Sequence, residues 1–354
     1  MTRRTFLSAG LLAAAAGRNA FADRAPDDIP PGTPKWTGST DLKSSLKLRA
    51  KDRAKLLQLT DLHFFGSPFL PARDKRTLEE MPRLVDAADP DLLLITGDLW
   101  HDNPEGKGAG YMETAVGHIE ALGRPWVFVW GNHDQVDDFV KGHERITTAK
   151  HSLYRGGPTG GNYVVQLTGD DGKPVWQLAC LNSNDEGLGP AQRAWLKDEA
   201  PKLLSPVPTV ALAHIPIKQQ ADAWAAKQAA GIKLENVSHE DEDGSTLAAI
   251  KAACDVRAFF CGHDHVNDYT VTVDGVELVY GHSSGWGGYG SNEMPKGAKL
   301  ITLNTETGRH AWETWLMDGS KWQPKPGVAI DKVLDSPWDA PAKSSQHAQD
   351  QKVN

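Results

Sequence analysis

Nine short apolar runs recur along the chain: LLQLT (56–60), DLLLITG (91–97), PWVFVWG (125–131), NYVVQL (162–167), VWQLACL (175–181), TVALAHI (209–215), VRAFFCG (256–262), GVELVYG (275–281) and AKLITLN (298–304). Several are apolar at consecutive positions, without the polar alternation of a strand that has one wet face, so they read as strands buried on both sides. Between them, apolar residues return at helical spacing over 75–88, 111–122, 191–203 and 245–253. Strands alternating with helices predict an α/β protein whose sheets are covered by helices.

The pattern starts at Leu56. Residues 23–50, rich in Pro, Asp, Lys and Thr, read as an extended lead-in, and 51–318 as the folded domain. The remainder, 319–354, turns to Pro, Ala, Ser and Gln beyond Trp322 and reads as a partly disordered tail, ordered at most where Val333, Leu334 and Trp338 dock. The acidic stretch GIKLENVSHEDEDGST (231–246) interrupts the strands and is expected as a solvated loop before the helix at Ser245.

Composition adds a compartment. In MTRRTFLSAGLLAAAAGRNAFAD, Arg3 and Arg4 precede an apolar stretch too short to span a bilayer and a small-residue site at Ala20-Phe21-Ala22. Residues 1–22 thus read as an export signal. The twin arginine followed by Thr5, Phe6 and Leu7 resembles the bacterial twin-arginine signal, which implies the twin-arginine export machinery as a partner and a periplasmic or secreted mature chain starting near Asp23. The whole chain has 38 basic and 46 acidic residues, a formal charge of -8; without Arg3, Arg4 and Arg18 it is -11. So acidic a chain argues against non-specific binding to nucleic-acid backbone or anionic lipid. No later segment is long and apolar enough for a membrane span. Cys180, Cys254 and Cys261 are too few for a disulfide framework; they read as buried small residues, with one disulfide left open.

The chemistry lies where the apolar runs stop. LLQLT leads into Asp61-Leu62-His63, DLLLITG into Asp98, PWVFVWG into Asn132-His133-Asp134, TVALA into His214, and VRAFFCG into His263-Asp264-His265. In open α/β sheets ligands bind at the carboxyl ends of strands, so five such clusters can meet in one crevice. Alone, the HxH at 263–265 is as easily a polar loop; five coincident strand ends point to metal. Imidazoles, carboxylates and an amide without thiolate suit Zn, Fe, Mn, Ni or Co, and seven candidate donors exceed what one tetrahedral ion with an open position needs. They fit two ions sharing a carboxylate.

In order, the blocks are Asp61-Leu62-His63, Gly97-Asp98, Gly131-Asn132-His133-Asp134, His214 and Gly262-His263-Asp264-His265. This set resembles the calcineurin-like metallophosphoesterases (DxH, GD, GNH[DE], H, GHxH) over roughly residues 54 to 304. GHDHVNDY followed by YGHSSGWGGYG is most similar to phosphatases related to purple acid phosphatases. The resemblance implies a four-layer αββα sandwich of two mixed sheets flanked by helices. It further implies two transition-metal ions (Fe, Mn or Zn), one held by Asp61, His63, Asp98 and His265, the other by Asp98, Asn132, His214 and His263. His133 would stabilise the phosphoryl charge or protonate the leaving group, with Asp134 orienting its ring. The purple acid pattern proper has DxG first and GDxxY second. Here His101 stands where its tyrosinate would be, so a tyrosinate-iron chromophore is not expected.

His101, Asn182 and His282 are further candidates for contact with a small phosphate-ester substrate; the alternative for each is a loop, turn or strand-end residue. Asp264 is expected to support its loop. The expected activity is hydrolysis of phosphate monoesters, with a phosphodiesterase acting on a cyclic nucleotide or lipid head group as the alternative. An exported metal-binding protein without turnover is the reading from a different class. No cysteine sits in a ligand-like setting.

Overall fold

The computed structural model describes residues 40–66, 71–325 and 327–330. The residues expected as an export signal, most of those expected as a lead-in and those beyond Ile330 lie outside the described residues. In chain order the strands are β1 (Lys43–Lys47), β2 (Arg53–Leu59), β3 (Leu92–Ile95), β4 (Trp126–Phe128), β5 (Tyr163–Thr168), β6 (Pro174–Cys180), β7 (Thr209–Leu212), β8 (Ala230–Lys233), β9 (Val256–Cys261), β10 (Asn267–Val273), β11 (Val276–Tyr280), β12 (Gly297–Asn304), β13 (His310–Leu316), β14 (Lys321–Trp322) and β15 (Ala329–Ile330). The α-helices are α1 (Pro71–Ala88), α2 (Gly108–Glu120), α3 (Phe139–Thr148), α4 (Pro190–Asp198), α5 (Ala200–Leu203), α6 (Lys218–Ala225) and α7 (Thr246–Ala253).

The strands form two mixed sheets. The first has the order β1-β5-β6-β7-β9-β11-β10-β8-β15 and the second β14-β13-β12-β2-β3-β4. Parallel pairing of β2, β3 and β4, and of β6, β7, β9 and β11, places successive strand ends at one edge of each sheet. Each of the nine apolar runs forms a strand, and the α/β sandwich with helices outside is as expected.

Two-sided burial explains the unbroken apolar runs. In β9, Ala258 and Phe260 join the core between the sheets, with Leu56 and Leu94 of the second sheet. Phe259 and Cys261 alternate to the other face and pack with Leu247 and Ile250 of α7. On the second sheet's outer side, Leu84 and Val85 of α1 and Val116 and Ile119 of α2 close the core. Burying each such side chain is worth about 1.5–3 kcal/mol. Cys180, Cys254 and Cys261 are free thiols, which answers the open disulfide question for the described residues. Among the described residues no helix is long and apolar enough to cross a membrane.

Elements the pattern did not signal are the half-wet ones. Strand β1 lies within the stretch expected as lead-in and pairs in parallel with β5, while β15 pairs with β8 beyond Trp322. Strand β8 occupies part of the acidic segment 231–246.

A buried polar cluster ties the sheets together and reassigns one residue. Asp268 of β10 accepts from Lys299 of β12, Thr314 Oγ1 of β13 (3.0 Å) and His282 Nδ1 (2.7 Å), and Lys299 also donates to Thr314 (2.6 Å). His282, a candidate for the cleft, is therefore a buried partner of Asp268 and does not line the cleft. The physical reason is that an inward side chain just past β11 meets a buried carboxylate before it meets solvent. Removing one member of such a cluster leaves a buried charge unpaired. Lys299→Met is expected to lower unfolding free energy by about 3–5 kcal/mol. Lys299→Met with Asp268→Leu should recover a large part of it, as read from denaturant midpoints.

Candidate metal centre and cleft

The five strand ends converge. Asp61 and His63 follow β2, Asp98 follows β3, Asn132 and His133 follow β4, His214 follows β7, and His263 and His265 follow β9. The loops are stitched by main-chain bonds, Asp61 N–H to Gly97 O (3.0 Å), His63 N–H to Asp98 O (2.9 Å) and Gly262 N–H to His214 O (2.9 Å). Asp61, His63, Asp98 and His263 have φ of +52°, +46°, +52° and +76°, a left-handed backbone that non-glycine residues adopt at a cost. Close approach is possible because glycines precede the donors. A Cβ on Gly131 would stand 2.2 Å from Asp98 Oδ1, and one on Gly262 2.0 Å from Thr60 Oγ1.

The donor atoms face one another. Asp98 Oδ2 is 3.3 Å from both His63 Nε2 and His214 Nε2. On one side, His63 Nε2 is 3.0 Å from His265 Nε2, and His265 Nε2 is 3.5 Å from Asp61 Oδ1. On the other, His214 Nε2 is 3.1 Å from Asn132 Oδ1 and 3.2 Å from His263 Nδ1. Three triads gather ligand atoms within 4.8 Å of one another, Asp61-His63-His265, Asp98-His214-His263 and, beside them, the half-buried His101-Asp102-His133. Donors about 2.0–2.1 Å from an ion stand about 2.9–3.4 Å apart, depending on geometry, which matches these separations.

Two further observations fit metal. Asp61 Oδ1 is buried without a hydrogen bond among the described residues. Each imidazole is also held at its outer nitrogen: His214 Nδ1 by Thr96 O (2.9 Å), His265 Nδ1 by Tyr289 O (3.2 Å), His63 Nδ1 by His101 Nδ1 (2.8 Å) and His263 Nε2 by Glu240 Oε1 (3.4 Å). A carbonyl accepts, so it fixes the proton on the outer nitrogen and leaves the inner lone pair free, as metal-binding histidines require. Burial lowers the His63 pKa to about 4, keeping it neutral. Burial opposes ionisation of Asp61, yet His265 and His214 outweigh it and bring the carboxyl down to about 2.

His133 stands beside this cluster, half-buried, its ring 5.1 Å from that of His63. The expectation that Asp134 orients it needs correction. Asp134 is fully buried and accepts four main-chain N–H bonds, from Asp98 (2.8 Å), Leu99 (2.8 Å), Trp100 (3.2 Å) and Gly131 (2.8 Å). Those donors use its oxygens to pin the Asp98 loop, and the ring is oriented instead by Asp102, whose Oδ1 accepts from His133 Nδ1 at 2.7 Å. Burial lowers the His133 pKa, but the Asp98 charge and the Asp102 hydrogen bond prevail and raise it to about 9.

A cleft of about 550 Å³ opens over the cluster. Beside the donors it is walled by Arg73, His101, Ser238, Glu240, Gly288 and Tyr289. His101 thus lines the cleft, stacked on His133 (centroids 4.7 Å apart). Asn182 does not. It is buried, donates to Gly160 O (2.6 Å) and accepts from Asn184 N–H (3.0 Å), a loop clamp that corrects its candidacy for substrate contact. Asp264 accepts from Ser238 N–H (3.1 Å) and from the Tyr280 hydroxyl, supporting its loop as expected. The acidic segment 231–246 is less solvated than expected. Ser238 and Glu240 face the cleft, and Glu242 is buried, accepting from Lys218 N–H (2.7 Å) and Thr246 N–H (3.2 Å). Asp102 and Arg73 were missed; the signal for Asp102 is a second carboxylate four residues after Asp98 in GDLWHD, whereas nothing in the sequence marks Arg73.

Comparison with known proteins places the chain in a family. Residues 54–267 match the calcineurin-like phosphoesterase family, and the chain belongs to that family. It is 26% identical over 324 residues to "Probable inactive purple acid phosphatase 28" of Arabidopsis thaliana, covering 76% of this chain and 80% of the relative. It is 25% identical over 332 residues to "Phosphatase DCR2" of Saccharomyces cerevisiae, covering 79% of this chain and 56% of that protein. A dimetal phosphatase from Danio rerio superposes with a TM-score of 0.46 at 11% identity, over 75% of this chain and 96% of that one.

In the metal-free protein His133 should titrate at about 9, followed by NMR of its ring. Asp102→Asn is expected to lower that value by about one pH unit or more, since a charge-assisted hydrogen bond is lost. Asp134→Ala should instead destabilise the fold by about 2–4 kcal/mol, because several main-chain N–H groups lose their acceptor.

Proposed function

We propose that the chain is an exported phosphoesterase that uses two transition-metal ions to hydrolyse phosphate monoesters. The observation that carries this reading is the position of Asp98 Oδ2, equidistant at 3.3 Å from His63 Nε2 and His214 Nε2, with the protonatable His133 beside it. Asp61, His63, Asp98 and His265 would hold one ion and Asp98, Asn132, His214 and His263 the other. A donor set of imidazole, carboxylate and amide suits Fe, Mn or Zn. Bound there, the ions supply Lewis acidity toward phosphoryl oxygens and lower the pKa of coordinated water.

The chain's own residues supply the rest. His133 gives its Nδ1 proton to Asp102 as a hydrogen bond, so Nε2 carries the proton that a departing alkoxide needs. Nearby positive charge would draw its pKa from about 9 toward neutrality, the range in which a general acid is effective. Asp134 fixes the main chain that carries Asp98, and Asp98 Oδ1 accepts from His133 N–H at 2.9 Å, so acid and cluster keep one mutual position. The word "inactive" in the name of a relative favours the idle metal-binding reading. The His133–Asp102 pair speaks against it, because neither residue is needed to hold an ion in this assignment.

The direct test is hydrolysis of p-nitrophenyl phosphate and of its bis ester with added Mn, Zn or Fe. The monoester should turn over faster, and activity confined to the diester would establish the phosphodiesterase alternative. His133→Ala should retain two metal equivalents while kcat falls by about 10²–10⁴. Unchanged turnover would refute the assigned role, and a wild type that binds two ions but cleaves neither ester would be the idle protein. Export is supported by Arg3-Arg4 and the short apolar segment after them. Replacing both arginines by lysine should leave precursor in the cytoplasm, whereas the wild-type product should begin near Asp23 by mass spectrometry.

A further inference from the structure

Tyr289 is one of two large hydrophobic side chains that are exposed among the described residues, at 54%, the other being Val328. An exposed tyrosine alone signifies little. This one lines the cleft, and it is fixed on three sides. One face of its ring stacks on His265, with centroids 3.9 Å apart and planes 9° from parallel. Its hydroxyl donates to Glu235 Oε2 at 2.7 Å, and its carbonyl accepts from Lys296 Nζ (2.7 Å) and His265 Nδ1 (3.2 Å). The chain on either side is Gly287-Gly288 and Gly290, so the residues that flank it in sequence bring no side chain to the cleft wall. Gly66, Gly287 and Gly288 continue the same wall as bare main chain. The far edge of the His265 ring belongs to the donor cluster, with Nε2 3.0 Å from His63 Nε2.

A rigid aromatic face one imidazole away from the candidate phosphoryl site is suited to a planar group attached to that phosphoryl. Its rotamer is already fixed, so stacking costs no further ordering of the protein side. We propose that Tyr289 forms a leaving-group subsite and that the preferred phosphomonoesters carry a flat aromatic ring joined closely to the ester oxygen. The proposal rests on the phosphoesterase reading of the cleft. It adds selection by the shape of the alcohol, which the metal donors do not provide.

Benzyl phosphate and cyclohexylmethyl phosphate test it, since both leave as primary alcohols of similar basicity and size and differ in planarity. Metal-loaded wild type should show a kcat/KM about five- to tenfold higher for the benzyl ester, the range of one aromatic stack. The corresponding phosphonates, measured by calorimetry, should show the same ratio in binding. Tyr289→Leu, which keeps apolar cover on His265, should bring both ratios to within about twofold of unity, and Tyr289→Phe should retain them. Equal binding of the two phosphonates by wild type, or a ratio that survives Tyr289→Leu, would overturn the subsite. The two readings fail separately: a binding preference without turnover refutes the esterase and leaves the subsite, and equal turnover of both esters refutes the subsite and leaves the esterase.

Discussion

The carboxylate of Asp98 is the group on which the cleft depends. Its Oδ2 is shared between His63 and His214, which belong to different sheets, and its Oδ1 accepts the main-chain N–H of His133. Such a carboxylate, 1% exposed, is unfavourable unless positive charge or donors surround it. Burial works against its ionisation, but the cluster of His214, His133 and His63 holds its pKa well below the ordinary value. Asp134, buried behind it, does not compete for those imidazoles because four main-chain N–H groups occupy it. Two adjacent acids thus have different tasks, one facing the cleft and one building the loop that presents the first.

The geometry is obtained at a conformational cost. Left-handed backbone at four of the seven candidate donors costs on the order of 1–2 kcal/mol each. The sandwich tolerates this because the same turns complete main-chain bonds, Asp61 to Gly97 and His63 to Asp98, and because Gly131 and Gly262 admit contacts that any side chain would block. Strain concentrated at donors while the surrounding strands are regular is the distribution expected of a functional site.

This division also explains what the sequence disclosed. Strands buried on both faces appear as continuous apolar runs, and the nine runs form β2 to β7, β9, β11 and β12. Strands such as NDYTVTV and HAWETWL, apolar only at alternate positions, and the short marginal strands β1, β14 and β15 carry too little hydrophobic signal. At the site, donors that follow a strand directly were legible because strand direction places them at one edge. Partners of donors were not: Asp102 and Glu240 act through three-dimensional proximity, and Asn182 and His282 have the same strand-end placement as true cleft residues but turn inward to buried polar groups. Position after a strand identifies the edge of the sheet; which side of the turn a side chain takes depends on what is buried there.

The outer contacts of the four candidate imidazoles carry this furthest. Two are held by main-chain carbonyls, Thr96 and Tyr289, which admit one tautomer, and two by side chains, His101 and Glu240. A carbonyl contact is independent of pH, whereas a side-chain contact can change with charge or move with its loop. His214 and His265 are therefore the fixed members of their clusters, one on each side of Asp98. His63 and His263 are the adjustable ones, and their partners His101 and Glu240 both face the cleft. Each side of Asp98 thus pairs one imidazole whose tautomer a main-chain carbonyl fixes with one whose partner is a side chain at the cleft.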